Sequence, residues 1–599
     1  MYTLFAARYR RTGRLLLTFG LATFFGFGSA GWAKPPVLDD DGAPAEAMGA
    51  AGPSFQKSLK PVRPTPSEAL GVDLAAVPSI RLKAVDTEAL LREDALEARQ
   101  GRVKILRYAV GRDLQVTAGE GNWYALADGR KLWVAEVVST DALGVRLHFK
   151  DVRLPAGSEL AVYGPSESDP ARGIVKSGWS RFDPERYVEF YESSEANAKR
   201  GEFWTGTVFG DRVRIEYLAP ASADSGALPF AVDRLQHLYL DPVASLAKSL
   251  VKEKVAGPCH NDVTCYPEWA DTARAVSGIG IPIPGGGSGF CTGQLLNISA
   301  KAPDFTPYWL TANHCLSSQG EAQGAEFFWL YQTATCGGTP PSINSVPRSR
   351  GASLVSTNAQ SDYTLLMING ALPGDLFWSG WTSAKIGDGA AAASIHHPSG
   401  DFKRISFAEK GESSVCGANF LRINWTDGPT EPGSSGSGVF LNSTHQLFGQ
   451  LLGGPSACGS ESFDCYGAFS TTYPKIKNFL KGGTDDKSEQ NDSCKQSRLV
   501  KAGRLSGRIV KVNDSDWYKV SVPAHRTITI QLDFVNDNGD IDLEAFASCG
   551  GEAIVNSTSS TDSESVSLDN VGSKPAVVYF HVFLDSDTRN NYDLTVSFQ

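Results

Sequence analysis

Methionine is scarce in this chain, 3 residues in 599, and the first 258 residues contain no cysteine at all. The ten cysteines lie between Cys259 and Cys549. No two have the Cys-x-x-Cys spacing, which removes the usual zinc-ribbon and dithiol redox patterns. His-Glu-x-x-His is also missing, and with it the helix that carries zinc in many metallopeptidases. There is no basic excess: 56 Lys+Arg stand against 66 Asp+Glu, a formal charge of −10. Nucleic acid is therefore not an expected partner, because its phosphates need a basic surface. Long apolar runs are absent beyond residues 15–27, which fall short of the ~20 residues of a bilayer span. No stable membrane insertion is expected. A hydrophobic content of 41% with 20% charged residues excludes disorder over most of the chain.

The N-terminus carries Arg8, Arg10, Arg11 and Arg14, then that short apolar run, then small residues ending at Ala33. This is the pattern of a secretory signal peptide over 1–33, with cleavage after Ala33, or alternatively after Ala30. An even number of cysteines in an exported, extracellular chain reads as five disulfides. The length of 599 residues suggests three or four units at ~100–200 residues each. Residues 34–75, rich in Pro, Ala and charge, read as a flexible leader. Residues 76–250 combine strand-like alternation ("LWVAEVVS", "DRVRIEYLAP") with a helical stretch at 86–100, a mixed α/β pattern. Residues 255–482 are short apolar runs between Gly, Ser and Thr turns, the texture of an all-β barrel or sandwich. Residues 483–492 read as a polar linker, and 493–599 as a further all-β unit.

Three segments carry chemistry. His314 lies in "YWLTANHCLS", Asp362 in "QSDYTLLMI" and Ser435 in "TEPGSSGSGVF". A serine hydroxyl is a poor nucleophile near neutral pH. It becomes a good one when an imidazole takes its proton and a carboxylate orients that imidazole. The glycine-rich turn around Ser435 can aim backbone N–H groups at an oxyanion. The Gly-x-Ser-x-Gly elbow of the α/β-hydrolases does not fit, because Ser437 replaces its second glycine and no suitable histidine follows. His396-His397-Pro398 suggests a metal at first sight, but adjacent residues of a strand face opposite ways, so no metal is expected there.

The segments "CTGQLLN", "YWLTANHC", "SDYTLL", "LFWSGW", "SIHHPSGDFKRIS", "TEPGSSGS", "GQLLGGPSAC" and "FDCYG" resemble, in order and at similar spacing, those of bacterial lysyl endopeptidases. The resemblance covers about residues 255–480. It implies a chymotrypsin-like double β-barrel with His314 as general base, Asp362 as its orienting carboxylate and Ser435 as nucleophile. The N–H groups of Gly433 and Ser435 would form the oxyanion hole. The position that holds the pocket acid in trypsin is Pro429 here, and the family's downstream acid corresponds to Asp464. In "GQLLGG" the substrate-binding wall would include Leu452 and Gly453. Leu452 replaces a histidine common in the family, and "ISFAEKGESSVCG" lacks the tryptophan on which that histidine stacks. The implied disulfides are Cys259–Cys458, Cys265–Cys336 and Cys291–Cys315, which leaves Cys416 and Cys465 to pair. Residues 34–254 resemble the family's propeptide, which makes the chain's own N-terminal region a partner of the enzyme. Residues 493–599 resemble the small β-sandwich called the pre-peptidase C-terminal domain, with Cys494 and Cys549 paired. Asp514, Asp516, Asp540 and Asp542 there offer oxygen ligands of the kind Ca²⁺ takes, but alternating strand-edge acids are more often solvated, so no cofactor is expected.

The function these readings imply is a secreted, self-processing serine endopeptidase that acts on proteins or peptides after Lys, with Arg as a second choice. The alternative is a secreted protease-like protein without catalysis, acting in binding or adhesion. Cleavage after Lys254, with Lys252 as alternative, would leave Val255 as the new N-terminus. Replacing both lysines by Gln is expected to block maturation. N-terminal sequencing that finds the same mature end in the double variant would reject self-cleavage there.

Overall fold

The computed structural model describes residues 46–52, 64–74, 77–100, 105–164, 188–192, 201–240, 259–283, 285–299, 305–460, 462–480, 488, 490–511, 515–536, 539–559, 561–585 and 589–599. The expected signal peptide with Ala33, the processing site Lys254 and Asp514 lie outside them. Contacts divide the chain into Met1–Pro36, wholly outside the described residues, and Val37–Gln599, to which all that follows refers.

The N-terminal region is chiefly strand, with helices at Pro66–Leu70 and Thr87–Gln100. Strand Lys131–Ser139 is buried on both faces. Trp133, Ala135 and Val137 point into one core with Leu147, Phe149, Ile215 and Tyr217, while Leu132 and Val134 point into a smaller cluster under Val72 and Leu74. This strand pairs antiparallel with Arg212–Ala219 and parallel with Ser79–Leu82. A second sheet runs Glu202–Trp204, Gly144–Lys150, Ala231–Leu238, Leu106–Val116.

That second sheet does not stop at the end of the N-terminal region. Leu106–Val116 pairs antiparallel with Ser288–Leu295, with Ser288 opposite Ala109 and Phe290 opposite Leu106. Ser288–Leu295 also pairs with Val276–Pro282 and Tyr308–Thr311, and Tyr308–Thr311 pairs with Tyr363–Ile368. These strands wrap a core of Ile279, Leu295, Trp309, Phe327, Trp329 and Leu366, the first barrel. In the second barrel each of six antiparallel strands pairs with two others, so the ring closes: Ala391–His396, Arg404–Gly411, Phe420–Asp427, Phe463–Ala468, Leu447–Gly453 and Gly438–Leu441. Closure removes the free strand edges. A third core, with Leu310, Tyr363, Trp381, Ile395, Phe440, Phe469 and Tyr473, lies between the barrels. The double-barrel, all-β expectation holds. Residues 493–599 form a five-stranded and a four-stranded sheet around Tyr518, Ile530, Leu543, Phe580 and Leu594, a β-sandwich.

The leader differs from its reading as flexible chain. Glu46–Ala47 pairs antiparallel with Trp381–Thr382, and Ala50–Ala51 with Phe377–Trp378. Gln446 Nε2 donates to Ala47 O at 3.1 Å. A Cβ on Gly380 would come within 2.6 Å of Ala47 O and 2.7 Å of Gly49 N, so the approach requires a glycine there. Small leader residues pack onto a groove more than 300 positions away, a partnership that local composition does not reveal.

Where the N-terminal region meets the first barrel, Glu326 is fully buried. It accepts from Thr207 N and Oγ1 (3.2 and 2.7 Å) and from Arg348 Nη1 (2.7 Å). Burial alone would raise its carboxyl pKa. The charges of Arg348 and Arg146 and the Thr207 hydrogen bonds outweigh burial and hold the carboxyl below its ordinary value. A folded-state pKa held below the unfolded one contributes stability that is fully present above the ordinary carboxylate range and is lost as pH falls from there through the lower, folded-state pKa. Glu326→Gln is expected to cost about 3 kcal/mol, the lower end for breaking a buried pair. Thermal unfolding followed against pH should show the wild type losing part of its advantage over the variant on acidification. A constant difference between the two would contradict this account.

Candidate functional site

Strand Tyr308–Thr311 of the first barrel delivers the chain to His314, and strand Tyr363–Ile368 begins directly after Asp362. The Cys291–Cys315 disulfide ties the His314 loop to the neighbouring strand. Asp362 has φ +54, a left-handed conformation that an Asp tolerates better than most residues. This turns its carboxylate back toward His314. Asp362 Oδ1 accepts from His314 N at 2.9 Å, and Oδ2 lies 2.7 Å from His314 Nδ1. His314 Nε2 is 2.8 Å from Ser435 Oγ. With Nδ1–H donated to the carboxylate, Nε2 keeps its lone pair for the serine proton.

Ser435 comes from the second barrel and is fully buried. Its turn works only with glycines. Gly433 (φ +98) passes so close to the 397–400 segment that a Cβ would lie 2.7 Å from His397 O. At Gly436 (φ +82) a Cβ would lie 2.1 Å from Thr311 Oγ1. The turn is tied across the barrels by Thr292 N donating to Ser435 O and Thr292 Oγ1 donating to Gly433 O, both at 2.8 Å. Among the described residues, the N–H groups of Gly433 and Ser435 donate to nothing, whereas Ser434 N is used by Glu431 O at 3.0 Å. Two free N–H groups beside a serine activated by imidazole can stabilise the oxyanion of acyl transfer.

Asp464, on strand Phe463–Ala468, is fully buried. Its Oδ2 accepts from Trp425 Nε1 at 2.9 Å, from Thr430 Oγ1 at 2.5 Å and from Ser456 Oγ, and Ser456 N approaches Oδ1 at 3.4 Å. Donors surrounding a carboxylate offset the cost of burying its charge. Gly454 leaves room for it, since a Cβ there would lie 2.4 Å from Oδ1. Leu452 and Gly453 lie on the adjoining strand Leu447–Gly453, where Gly453 is opposite Cys465. Trp425, Thr430 and Ser456 were not singled out from the sequence. Thr430 and Ser456 lie inside matched motifs and were legible in principle, while Trp425 sits in an unremarkable strand.

The ten cysteines pair as Cys259–Cys458, Cys265–Cys336, Cys291–Cys315, Cys416–Cys465 and Cys494–Cys549. Cys416–Cys465 links the residue after Asp464 to the loop ahead of strand Phe420–Asp427. Among the described residues one group has metal-ligand proximity, Cys259, His260 and Cys458, but its two sulfurs are bonded to each other. His396 and His397 have separate partners. His397 Nδ1 lies 2.8 Å from Asp401 O, and burial, aided by the Lys403 charge, pushes this imidazole down to about 3. In the C-terminal sandwich, Asp516 accepts from Tyr592 OH at 2.5 Å. The Asp542 carboxyl is pushed up to about 7 by burial and then by Asp585, Asp540, Glu564 and Glu544.

Residues 254–468 match the family model "Lysyl endopeptidase, C-terminal domain" and residues 81–239 match "Lysyl endopeptidase N-terminal domain". A lysyl endopeptidase of Pseudomonas aeruginosa is 30% identical over 300 residues, covering 46% of this chain and 63% of that protein. Secreted RxLR effector protein 73 of Plasmopara viticola is 28% identical over 270 residues, covering 42% of this chain and 63% of that protein. The chain therefore spans 63% of the length of each of these curated relatives. Among solved structures, the active form of the Rv3671c protease of M. tuberculosis is similar at 15% identity, covering 39% of this chain and 96% of that one, with a TM-score of 0.26.

Asp362→Asn keeps the shape of the site but favours the wrong imidazole tautomer. It is expected to lower the rate of any reaction at Ser435 by about 10⁴. Stopped-flow or steady-state acylation measurements that show less than a tenfold loss would remove Asp362 from this role.

Proposed function

The chain belongs to the lysyl endopeptidase family over residues 81–239 and 254–468, and on that footing we propose that it is a secreted serine endopeptidase, made as a zymogen, that hydrolyses peptide bonds after lysine. The observation that carries the proposal is the unbroken run Asp362–His314–Ser435, at 2.7 and 2.8 Å, beside two backbone N–H groups that donate to nothing among the described residues. Ser435 Oγ attacks the scissile carbonyl while His314 Nε2 takes its proton. The tetrahedral oxyanion forms against Gly433 N–H and Ser435 N–H. Collapse breaks the C–N bond, and His314 returns the proton to the leaving amine. Water, deprotonated by the same imidazole, then attacks the acyl-enzyme and releases Ser435.

The preference for lysine is supported by the buried Asp464 carboxylate in the wall next to Leu452 and Gly453. The carboxylate, held by the neutral donors of Trp425, Thr430 and Ser456, favours a cationic side chain over a neutral one in the pocket. Arginine is the second choice. Secretion is supported by the signal-peptide pattern ending at Ala33, together with the five disulfides. Among the described residues no helix is long and apolar enough to cross a membrane. The zymogen reading is supported by the lysines at 252 and 254 and by the N-terminal strands that extend the first barrel's sheet.

A peptide-library digest read by mass spectrometry should place cleavages after Lys. Ser435→Ala should lower kcat by roughly 10⁴–10⁶ and abolish fluorophosphonate labelling. Asp464→Asn should selectively reduce cleavage after Lys. A protein that takes no label and cuts nothing would be the non-catalytic binding protein instead, and an unchanged preference in Asp464→Asn would acquit that residue.

A further inference from the structure

His396 has no part in the mechanism above, yet it is completely buried beside the segment that carries both the pocket wall and the nucleophile. Its Nδ1 lies 2.7 Å from Ser434 Oγ, and its Nε2 lies 2.9 Å from Ser406 Oγ. Ser434 Oγ in turn accepts from Glu431 N at 3.2 Å, and Ser406 Oγ donates to Pro429 O at 3.1 Å. A hydroxyl has one proton. That of Ser406 is spent on Pro429, so at Ser406 the imidazole must be the donor, through Nε2–H. The Ser434 hydroxyl has no other acceptor among the described residues, so it donates to Nδ1. The result is one directed chain: Glu431 N–H to Ser434 O–H to His396, then His396 N–H to Ser406 O–H to Pro429 C=O. It leaves the 429–435 loop at residue 431 and re-enters it at 429, having crossed two strands of the second barrel.

Each end of this chain borders a working part of the site. Ser434 is the residue between Gly433 and Ser435, whose N–H groups are free, and Pro429 precedes Thr430, which donates to Asp464. We propose that His396 is the positioning residue of this loop: acting through Ser434 it holds the oxyanion donors, and acting through Ser406 and Pro429 it holds the wall of the lysine pocket. This rests on the proposed function for its substrate. It touches no reacting atom itself.

Two substitutions separate the two ends. In His396→Asn the side-chain amide oxygen takes the place of Nδ1 and still accepts from Ser434, while the link to Ser406 is lost. In His396→Gln the amide N–H takes the place of Nε2 and still donates to Ser406, while Ser434 loses its acceptor. Full-length chains, allowed to mature, are assayed on a small lysyl ester and by the rate of Ser435 phosphonylation with a fluorophosphonate. For His396→Gln the expected result is a kcat and phosphonylation rate lower by up to about 100-fold, the lower edge for loss of an oxyanion donor, with KM near that of the wild type. For His396→Asn the expected result is the opposite split, with kcat largely kept and KM raised. Ser434→Ala should reproduce the kcat loss of His396→Gln, and the double variant should be no worse than either single one. Equal kcat and KM changes in the two His396 variants, additive losses in the double variant, or a fall in melting temperature without change in either rate would overturn the proposal. If the wild-type chain does not hydrolyse the ester, the proposed function fails, and the phosphonylation rates alone decide the role of His396.

Discussion

Everything chemical in this protein depends on two barrels meeting within hydrogen-bond distance at one turn. His314 and Asp362 belong to the first barrel, Ser435 to the second, and no secondary structure holds all three. The seam is made by Thr292, whose N–H and hydroxyl grip Ser435 O and Gly433 O. The absence of a side chain at Gly436 lets Thr311 and the backbone at Thr292 and Ala312 come close. A Cβ at Gly436 would lie 2.1 Å from Thr311 Oγ1 and 2.6 Å from Thr292 O, so the seam could not keep its present contacts. The large aromatic core between the barrels supplies the adhesion, and the turn supplies the register.

The same logic of covered edges explains the N-terminal region. Strand Ser288–Leu295 would present free main-chain groups if Leu106–Val116 did not pair with it. Backbone pairing there is supported by side chains that make sense only across the junction. Arg146 is fully buried and donates to Gly324 O at 2.6 Å, and Glu326 of the barrel is satisfied by Thr207. The leader strands at 46–51 cover a second stretch of barrel edge. The N-terminal region is thus wedded to the barrel by a sheet and buried ion-dipole contacts, and not merely tethered to it.

Asp464 illustrates how a buried carboxylate is made tolerable. Three of its donors converge on Oδ2, and they come from a strand, the 429–435 loop and the 456 turn. The disulfide at Cys465 fixes the next residue.

The candidate set His314, Asp362 and Ser435 was legible in the primary structure, because each lies in a motif whose local turn needs particular neighbours, above all glycines flanking the serine. Strand identity was legible too, as at Lys131–Ser139, whose near-continuous apolar run fits a strand buried on both faces. What local sequence could not reveal was partnership at long range. The leader's pairing with residues 377–382, the extension of the barrel sheet by Leu106–Val116 and the contribution of Trp425 to Asp464 each join segments whose composition is ordinary. His396 was visible as half of a suspicious histidine pair, but only the fold showed it suspended between two serines. Sequence by itself determined which side chains are the candidates for chemistry and which segments are strands, because those depend on residues a few positions apart. Tertiary structure alone decided the hydrogen-bond directions, the buried charges and the sheet edges, because these depend on which distant groups share a space from which water is excluded.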